Sequence, residues 1–240
     1  LDNKSLDKKF IKKICEHYST DGLITINFNN KNKAIMNYFN NDGTWETLCI
    51  NGLTCSSLFL KPELSQKELY IESNNILYPI QIQDNNKIKI KLPVPYYKEK
   101  NITLNKIQGA YINSGAKHFV IELKEWPNNN DLILLAKEIR YNKEIFPNGT
   151  NVNFFKILNK SSIEVKTYEK GVEKLMDSCA SGSYACAYDC YINKKVDNQI
   201  SIINPGGEFH ITLNNDTMNY YIINTAVLEY DDIIDLSLYL

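Results

Sequence analysis

Two short stretches of the chain match each other in residue type: Cys49-Ile50-Asn51-Gly52 and Cys179-Ala180-Ser181-Gly182. Each is a turn leading into an apolar segment, which predicts a cysteine at the start of a helix. A thiol has an ordinary pKa of roughly 8.5, so a helix N-terminus can favour the thiolate in one cysteine while the other keeps its proton. Such a pair could remove a proton from one face of a carbon and deliver a proton to the other face.

The residues behind each cysteine could also hold a carboxylate, because N–H groups in the first turn of a helix have no partner within the helix. Negative charge left on an α-carbon spreads into the neighbouring carboxylate, where two helix dipoles would stabilise it. The scheme requires no cofactor. We expect no metal site either, since no histidine stands at ligand spacing from a cysteine. The N–H groups concerned are those of Ile50, Asn51, Ala180 and Ser181.

Composition narrows the range of partners. Lys and Arg total 27 against 28 Asp and Glu, without a basic block, so we expect neither nucleic acid nor an anionic membrane as a partner. No apolar run reaches membrane-spanning length, and no signal-peptide pattern opens the sequence. We therefore expect a soluble cytoplasmic protein with reduced cysteines that takes a small, neutral-to-polar ligand, and a homodimer is one assembly it could form.

The elements that must position the two cysteines occur twice in the same order. Helical spacing predicts a first helix from Leu6 to Tyr18, followed by strands, the helix behind Cys49 and further strands. Two prolines at 93 and 95 and the charged residues Lys98 to Asn101 interrupt this pattern. The second half repeats it, with a helix over 131–141, the helix behind Cys179 over 181–193, and closing strands.

This repetition predicts an α+β fold of two pseudo-symmetric domains, residues 1–98 and 99–240. Each domain would be a mostly antiparallel, barrel-like sheet around a central helix, and the last strand could return to the first half.

Several blocks resemble the diaminopimelate epimerase family, in the family's order from about Asp21 to the C-terminus. Phe146–Asn153 is a close match to its Phe-Pro-x-Gly-Thr-Asn-Val-Asn segment. Asn40–Thr44 with Cys49–Gly52 resembles its Asn-x-Asp-Gly-Ser and Cys-Gly-Asn-Gly block. The remaining matches are to its Gly-x-Pro-His, Tyr-Glu-Arg-Gly-Val, Cys-Gly-Thr-Gly and Pro-Gly-Gly segments, and they lie at Gly115–His118, Tyr168–Val172, Cys179–Gly182 and Pro205–Gly207.

The resemblance implies a role for each matching position, and the fold of that family. Cys49 and Cys179 would be the acid/base pair, with His118 and Glu169 beside them to set thiol or thiolate character. The amino and carboxylate groups of the non-reacting end would be held by Asn40, Asn151, Glu169 and Lys170. The reacting carboxylate would be held through the backbone N–H groups of Ile50, Asn51, Ala180 and Ser181, where only backbone donors are required.

Two positions depart from the family in ways that bear on the substrate. Ile50 replaces a glycine behind the first cysteine and is expected to crowd the approaching carboxylate. Lys170 replaces an arginine, which keeps the charge but loses the two-pronged grip on a distal carboxylate. The family opens with a Gly-x-Gly-Asn-Asp-Phe turn, whereas Leu1 already matches the region before the family's first helix. Either the full protein carries this turn ahead of Leu1, or the protein has lost this part of the site.

Three functions remain open at this point. The first is a cofactor-independent epimerase that interconverts LL- and meso-2,6-diaminopimelate in lysine biosynthesis. The second is a racemase or isomerase of another amino acid, which Ile50 and Lys170 favour. The third is a non-catalytic descendant that binds an amino acid or a partner protein, which the absent opening turn favours.

Overall fold

The computed structural model describes residues 6–28, 32–64, 67–104, 106–229 and 239. The chain divides into two compact units, Leu1–Ile90 with Asn224–Leu240, and Lys91–Ile223. The helices are α1 (Lys8–Tyr18), α2 (Ile50–Leu60), α3 (Asn129–Arg140) and α4 (Ala180–Ile192). The strands are β1 (Gly22–Phe28), β2 (Lys33–Asn40), β3 (Trp45–Glu46), β4 (Glu68–Ser73), β5 (Ile76–Ile82), β6 (Lys87–Lys91), β7 (Tyr96–Leu104), β8 (Ile107–Asn113), β9 (Lys117–Glu122), β10 (Asn151–Asn159), β11 (Ser162–Tyr168), β12 (Leu175–Met176), β13 (Gln199–Asn204), β14 (Gly207–Asn214) and β15 (Asn219–Thr225). Across the described ranges, no helix has the length and apolar character needed to span a membrane.

The first unit begins with the predicted amphipathic helix, and that prediction is confirmed. The side chain of Asp7 caps α1 by accepting a hydrogen bond from the N–H of Lys9, and Ser19 ends the helix in the left-handed conformation. The apolar face of α1 is buried against Phe39 of β2. Helix α1 therefore covers the sheet close to the turn that precedes Cys49.

The sheet of the first unit has the strand order β1-β2-β4-β5-β6, with the short β3 paired to β2. All pairs are antiparallel except β2 with β4, which are joined through α2. Helix α2 is buried along much of its length and contacts β1, β2 and β5. It is the central helix of this unit, with Cys49 immediately before its first residue.

The second unit repeats this arrangement with additional strands. Its order is β15-β14-β13-β11-β10-β9-β8-β7, with β12 paired to β11. The parallel pairs are β9 with β10, joined through α3, and β11 with β13, joined through α4. Helix α4 contacts strands β8, β9, β10, β11, β13 and β14, while α3 packs its apolar face against β10. A helix enclosed by so many strands is buried on most of its surface, and Tyr184, Ala185 and Cys186 are fully buried.

The two units share one order of elements. Strands β1 to β3, helix α2 and strands β4 to β6 correspond to β10 to β12, α4 and β13 to β15. In both, the last long strand before the cysteine, β2 or β11, pairs in parallel with the first strand after the helix, β4 or β13. The predicted α+β class, two mostly antiparallel sheets each with a central helix, is confirmed.

One expectation about the strand pattern is wrong. The charged residues Lys98 to Asn101 do not interrupt the strands but lie within β7, a strand of nine residues. Strand β7 ends the sheet and pairs with β8, and its charged side chains are exposed. Lysines on an edge strand prevent it from pairing with another chain, so charge here marks an edge and not a linker.

Candidate active site

In the first unit, Cys49 stands at the N-cap of α2. Its backbone is extended (φ −127°, ψ 104°), and its sulfur accepts a hydrogen bond from the N–H of Gly52 at 3.2 Å. Gly52 lies close behind it, because a Cβ added there would be 3.3 Å from the Cβ of Cys49. The turn therefore directs a backbone donor of the first helical turn at the sulfur, which would stabilise a thiolate.

The predicted turn before Cys49 places Asn40 in a fully buried position. Asp42 accepts hydrogen bonds from the N–H (2.8 Å) and hydroxyl (2.6 Å) of Thr44, and Gly43 adopts φ +81°. The amide nitrogen of Asn40 donates to Thr44 and Glu46. Its Oδ1 is buried and has no hydrogen-bond partner among the described residues, so it is an acceptor able to take a donor from a bound molecule.

Ile50 and Asn51, the first two residues of α2, have defined contacts within the first unit. Ile50 is only 1% exposed, so its side chain belongs to the core of the first unit. Its carbonyl accepts a hydrogen bond from Thr54, and the side chain of Asn51 accepts one from Asn224 at 3.4 Å. The burial of Ile50 explains how a β-branched residue is accommodated directly behind the cysteine.

In the second unit, Cys179 occupies the equivalent N-cap of α4 with nearly the same backbone (φ −132°, ψ 97°). It is 8% exposed. Burial and the negative charge of Glu169 raise the pKa of Cys179 to about 12, although hydrogen bonding from Ser181 and Gly182 opposes the rise. At neutral pH the sulfur therefore holds its proton, which suits a general acid.

His118 and Ser181 lie beside Cys179. The hydroxyl of Ser181 is 3.6 Å from the sulfur of Cys179 and 3.1 Å from Nε2 of His118. Burial lowers the pKa of His118 to about 3, so its ring is neutral. Ala180 is buried at the first position of the helix. The structure thus brings together Cys179, Ala180, Ser181 and His118 in one unit.

A second group of predicted residues meets at the turn after β11. The side chain of Asn151 accepts a hydrogen bond from the N–H of Lys170 at 2.8 Å and donates to the carbonyl of Lys117 at 3.2 Å. Glu169 and Lys170 are half-buried, and the carbonyl of Glu169 accepts from the N–H of Glu173. Asn151 therefore links the start of β10 to the turn that presents Glu169 beside Cys179.

Sequence reasoning missed the residues that hold this turn. Glu173 accepts hydrogen bonds from Arg140 (2.9 Å), the N–H of Gly171 (3.1 Å) and the hydroxyl of Tyr141 (3.0 Å). Burial favours protonation of Glu173, but these hydrogen bonds and the Arg140 charge outweigh it and lower its pKa. A Cβ on Gly149 would overlap the guanidinium, so Arg140 packs directly against the 146–151 segment while its ion pair holds the 169–173 turn.

Asn153 is a second omission. It is fully buried on β10 two residues after Asn151, and it contacts both His118 and Thr167. An asparagine amid the apolar residues of a buried strand was the available signal, because buried amides need partners. For metals, the described ranges hold no cluster of three or more His, Cys, Asp or Glu side chains arranged to bind an ion.

The chain matches a known family in sequence. The family model described as "Diaminopimelate epimerase" matches residues 110–228. A diaminopimelate epimerase of a Hydrogenobaculum species is 32% identical over 221 residues, covering 87% of this chain and 80% of the relative. A diaminopimelate epimerase of Aquifex aeolicus is 30% identical, covering 83% and 75%.

Solved structures agree in fold. A probable proline racemase from Agrobacterium radiobacter superposes with a TM-score of 0.65 at 14% identity, covering 84% of this chain and 70% of that one. A phenazine biosynthesis protein of the PhzF family from Bacillus anthracis superposes with a TM-score of 0.62 at 17% identity, covering 92% and 86%. At these identities the likeness concerns the fold alone.

Proposed function

Because the chain belongs to the diaminopimelate epimerase family and is thus an isomerase, we propose that it interconverts LL- and meso-2,6-diaminopimelate without a cofactor, in lysine biosynthesis. One observation carries the proposal: a cysteine stands at the N-cap of the central helix in each of the two equivalent units, with nearly the same backbone angles. The identity of the sequence relatives supports the substrate.

The reaction moves one proton off the α-carbon and another onto its opposite face. A thiolate takes the α-proton, so that an S–H bond forms and the C–H bond breaks, and its electron pair spreads into the α-carboxylate. The second thiol then gives its proton to the opposite face, and its S–H bond becomes a thiolate. The two sulfurs have exchanged roles, so the enzyme is ready to run the reverse reaction.

The environments of the two cysteines suggest which acts first as base. Cys179 keeps its proton at neutral pH because burial and Glu169 raise its pKa to about 12. Cys49 is more exposed, and its sulfur accepts the N–H of Gly52. We assign the resting thiolate to Cys49 and the resting thiol to Cys179, as unequal environments assign acid and base in other paired sites.

The polar groups of the substrate are assigned to side chains and backbone N–H groups that can still form hydrogen bonds or ion pairs. The buried Oδ1 of Asn40, which no described residue contacts with a hydrogen bond, would accept one from an amino group of the substrate. The side chain of Lys170, on the turn held by Asn151 and Glu173, would face the distal carboxylate. The N–H groups that begin α2 and α4 would receive the reacting carboxylate. We place the enzyme in the cytoplasm, where catalytic thiols stay reduced; the homodimer expected from the sequence stays a prediction.

The test is conversion of LL-diaminopimelate in deuterated water with a thiol reductant. We expect epimerisation with deuterium at the α-carbon, and loss of epimerisation in both Cys49→Ala and Cys179→Ala. Cys55→Ala is the matched control, since Cys55 lies on α2 outside the proposed site. Full activity in either cysteine variant would contradict the proposal.

A second candidate is a racemase of a different amino acid, favoured by Lys170 in place of the family arginine. A compact ammonium grips a carboxylate less specifically than a guanidinium does. A panel of amino acids in the same deuterium assay decides between the two. Exchange into another amino acid, without exchange into diaminopimelate, would favour the second candidate.

A further inference from the structure

Behind Cys179 lies a row of buried polar side chains from three neighbouring strands. His118 is on β9, Asn153 on β10 and Thr167 on β11, and their exposed fractions are 0%, 0% and 2%. Beyond His118 the row reaches Ser181, which is 7% exposed, and then the sulfur of Cys179. Polar groups buried this completely need mutual hydrogen bonds, so their donors and acceptors must match along the whole row.

The orientation of the Asn153 amide is fixed by a backbone carbonyl, and the hydroxyl of Thr167 donates to match it. Its Nδ2 lies 3.2 Å from the backbone carbonyl of Phe119, which can only accept. Its Oδ1 accepts from the hydroxyl of Thr167 at 2.9 Å. The nitrogen of the amide therefore faces Nδ1 of His118, 3.1 Å away.

This orientation decides the tautomer of the histidine. Since Asn153 donates, Nδ1 of His118 must accept and carries no hydrogen. A neutral imidazole has one N–H, so the hydrogen is on Nε2. Burial keeps the ring neutral, because it lowers the pKa of His118 to about 3. Nε2 then donates to the hydroxyl of Ser181 at 3.1 Å.

The last contact of the row follows from the others. With Nε2–H already donating to it, Oγ of Ser181 has its own hydrogen free to donate. The sulfur of Cys179 is 3.6 Å away, within reach for a hydrogen bond to sulfur. A donor aimed at sulfur stabilises the thiolate more than the thiol.

We propose that Asn153 and His118 orient the hydroxyl of Ser181 as a hydrogen-bond donor to Cys179, which makes Ser181 a positioning residue for the step in which Cys179 acts as the base. The inference rests on the proposed function, and it adds a role for the Ser181 side chain to the role of its backbone. Cys179 needs such a donor because burial and Glu169 both oppose its thiolate. The row supplies a donor without adding a positive charge, so burial and Glu169 still keep Cys179 protonated in the resting enzyme.

The tautomer of His118 can be measured without any substrate. Nitrogen-15 NMR of the labelled full chain at neutral pH distinguishes Nε2–H from Nδ1–H and from the imidazolium. We expect Nε2–H for His118, with its resonances assigned by comparison with a His118→Gln sample. An Nδ1–H tautomer or an imidazolium would overturn the proposal, whether or not the protein is an epimerase.

The effect of Ser181 on proton removal by Cys179 can be measured separately in the Cys49→Ala variant. Epimerisation needs both sulfurs, but Cys179 alone can remove a proton and return a deuteron to the same face. Exchange in deuterated water, without inversion, is followed for both stereoisomers, and the one whose α-hydrogen faces Cys179 then reports Cys179 only. Adding Ser181→Ala should slow this exchange about tenfold, the loss expected for one hydrogen bond to a charged group.

Matched variants separate this role from a structural one. Ser183→Ala removes a hydroxyl from the same helix, where it contacts Asn204 and not the sulfur, and should leave the exchange rate unchanged. Ser181→Thr keeps the hydroxyl and should retain most of the rate. In the chain with both cysteines, Ser181→Ala should lower kcat with little change in KM, because the backbone N–H is still present.

The two failures are distinguishable. If Ser181→Ala and Ser183→Ala exchange at the same rate, the orienting role is wrong while the two-cysteine proposal stands. If the chain with both cysteines catalyses neither exchange nor epimerisation of any amino acid, the proposed function is wrong, and the NMR measurement still decides the orientation of the row.

Discussion

Gly52 and Gly182 occupy equivalent positions, three residues after each cysteine, yet their surroundings predict opposite responses to alanine. A Cβ at Gly182 would overlap Oδ1 of Asn153 and lie 3.0 Å from its Cγ and 3.1 Å from Oγ1 of Thr167. A Cβ at Gly52 would meet the nearest atoms at 3.3 to 3.4 Å, a close but adjustable contact.

The magnitudes follow from these contacts. Overpacking lowers stability by about 1–3 kcal/mol. Displacing Asn153 from Thr167 leaves a buried polar group unpaired, which lowers stability by about 1–3 kcal/mol more. Alanine in place of glycine in a helix returns at most about 1 kcal/mol. Gly182→Ala should therefore lower the free energy of unfolding by roughly 2–4 kcal/mol, whereas Gly52→Ala should change it by less than about 1 kcal/mol.

Urea unfolding followed by circular dichroism measures both variants. Gly182→Ala should also lose activity, since Asn153 contacts His118. Gly52→Ala keeps the N–H that donates to Cys49 and should remain active. If Gly182→Ala is as stable as the parent chain, or if the two variants lose equal stability, the packing behind Cys179 is not as described.

Three further predictions concern the charges and thiols of the site. Glu169→Gln removes a charge that raises the pKa of Cys179, so the high-pH loss of kcat/KM, where Cys179 gives up its proton, should begin at lower pH; an unmoved limb would contradict this. Glu173→Gln breaks the ion pair with Arg140, in which the side chain of Glu173 is 31% exposed and that of Arg140 13%. It should lower the free energy of unfolding in urea by about 1–2 kcal/mol and raise KM. Unchanged values of both would show that other contacts hold the turn. Mild oxidation should join Cys49 and Cys179 in a disulfide that inactivates the enzyme and is reversed by dithiothreitol. If peptide mapping finds no disulfide between them, the proposal that both sulfurs act on one carbon is weakened.

Local motifs made the two cysteine turns predictable. A cysteine followed by small residues and an apolar run is a helix start, and the structure places Cys49 and Cys179 at N-caps one residue before the helices. The turn at Asn41–Gly43 was predictable for the same reason, since Asp42 and Gly43 have the side chain and the backbone freedom that a tight turn uses.

Contacts between distant parts of the chain were not predictable in this way. Arg140 and Glu173 are 33 residues apart, and neither stands in a motif that suggests the other. The side chain of Ser181 was overlooked because the motif assigned a role to its backbone N–H only. Its side-chain partner, His118, lies 63 residues away on β9. Strand β7 was missed because it lies at an exposed sheet edge, where lysines are common. Hydropathy alone does not distinguish such a strand from a loop.

The most direct test of the two-cysteine mechanism is where deuterium first appears. In deuterated water, at conversions low enough to exclude the reverse reaction, the newly formed stereoisomer should carry one α-deuterium while recovered starting material carries none. This is expected because the base sulfur holds the abstracted proton and the opposite sulfur supplies a solvent-derived deuteron. Deuterium appearing equally in recovered starting material and product would mean that one group serves both faces, and would contradict the account.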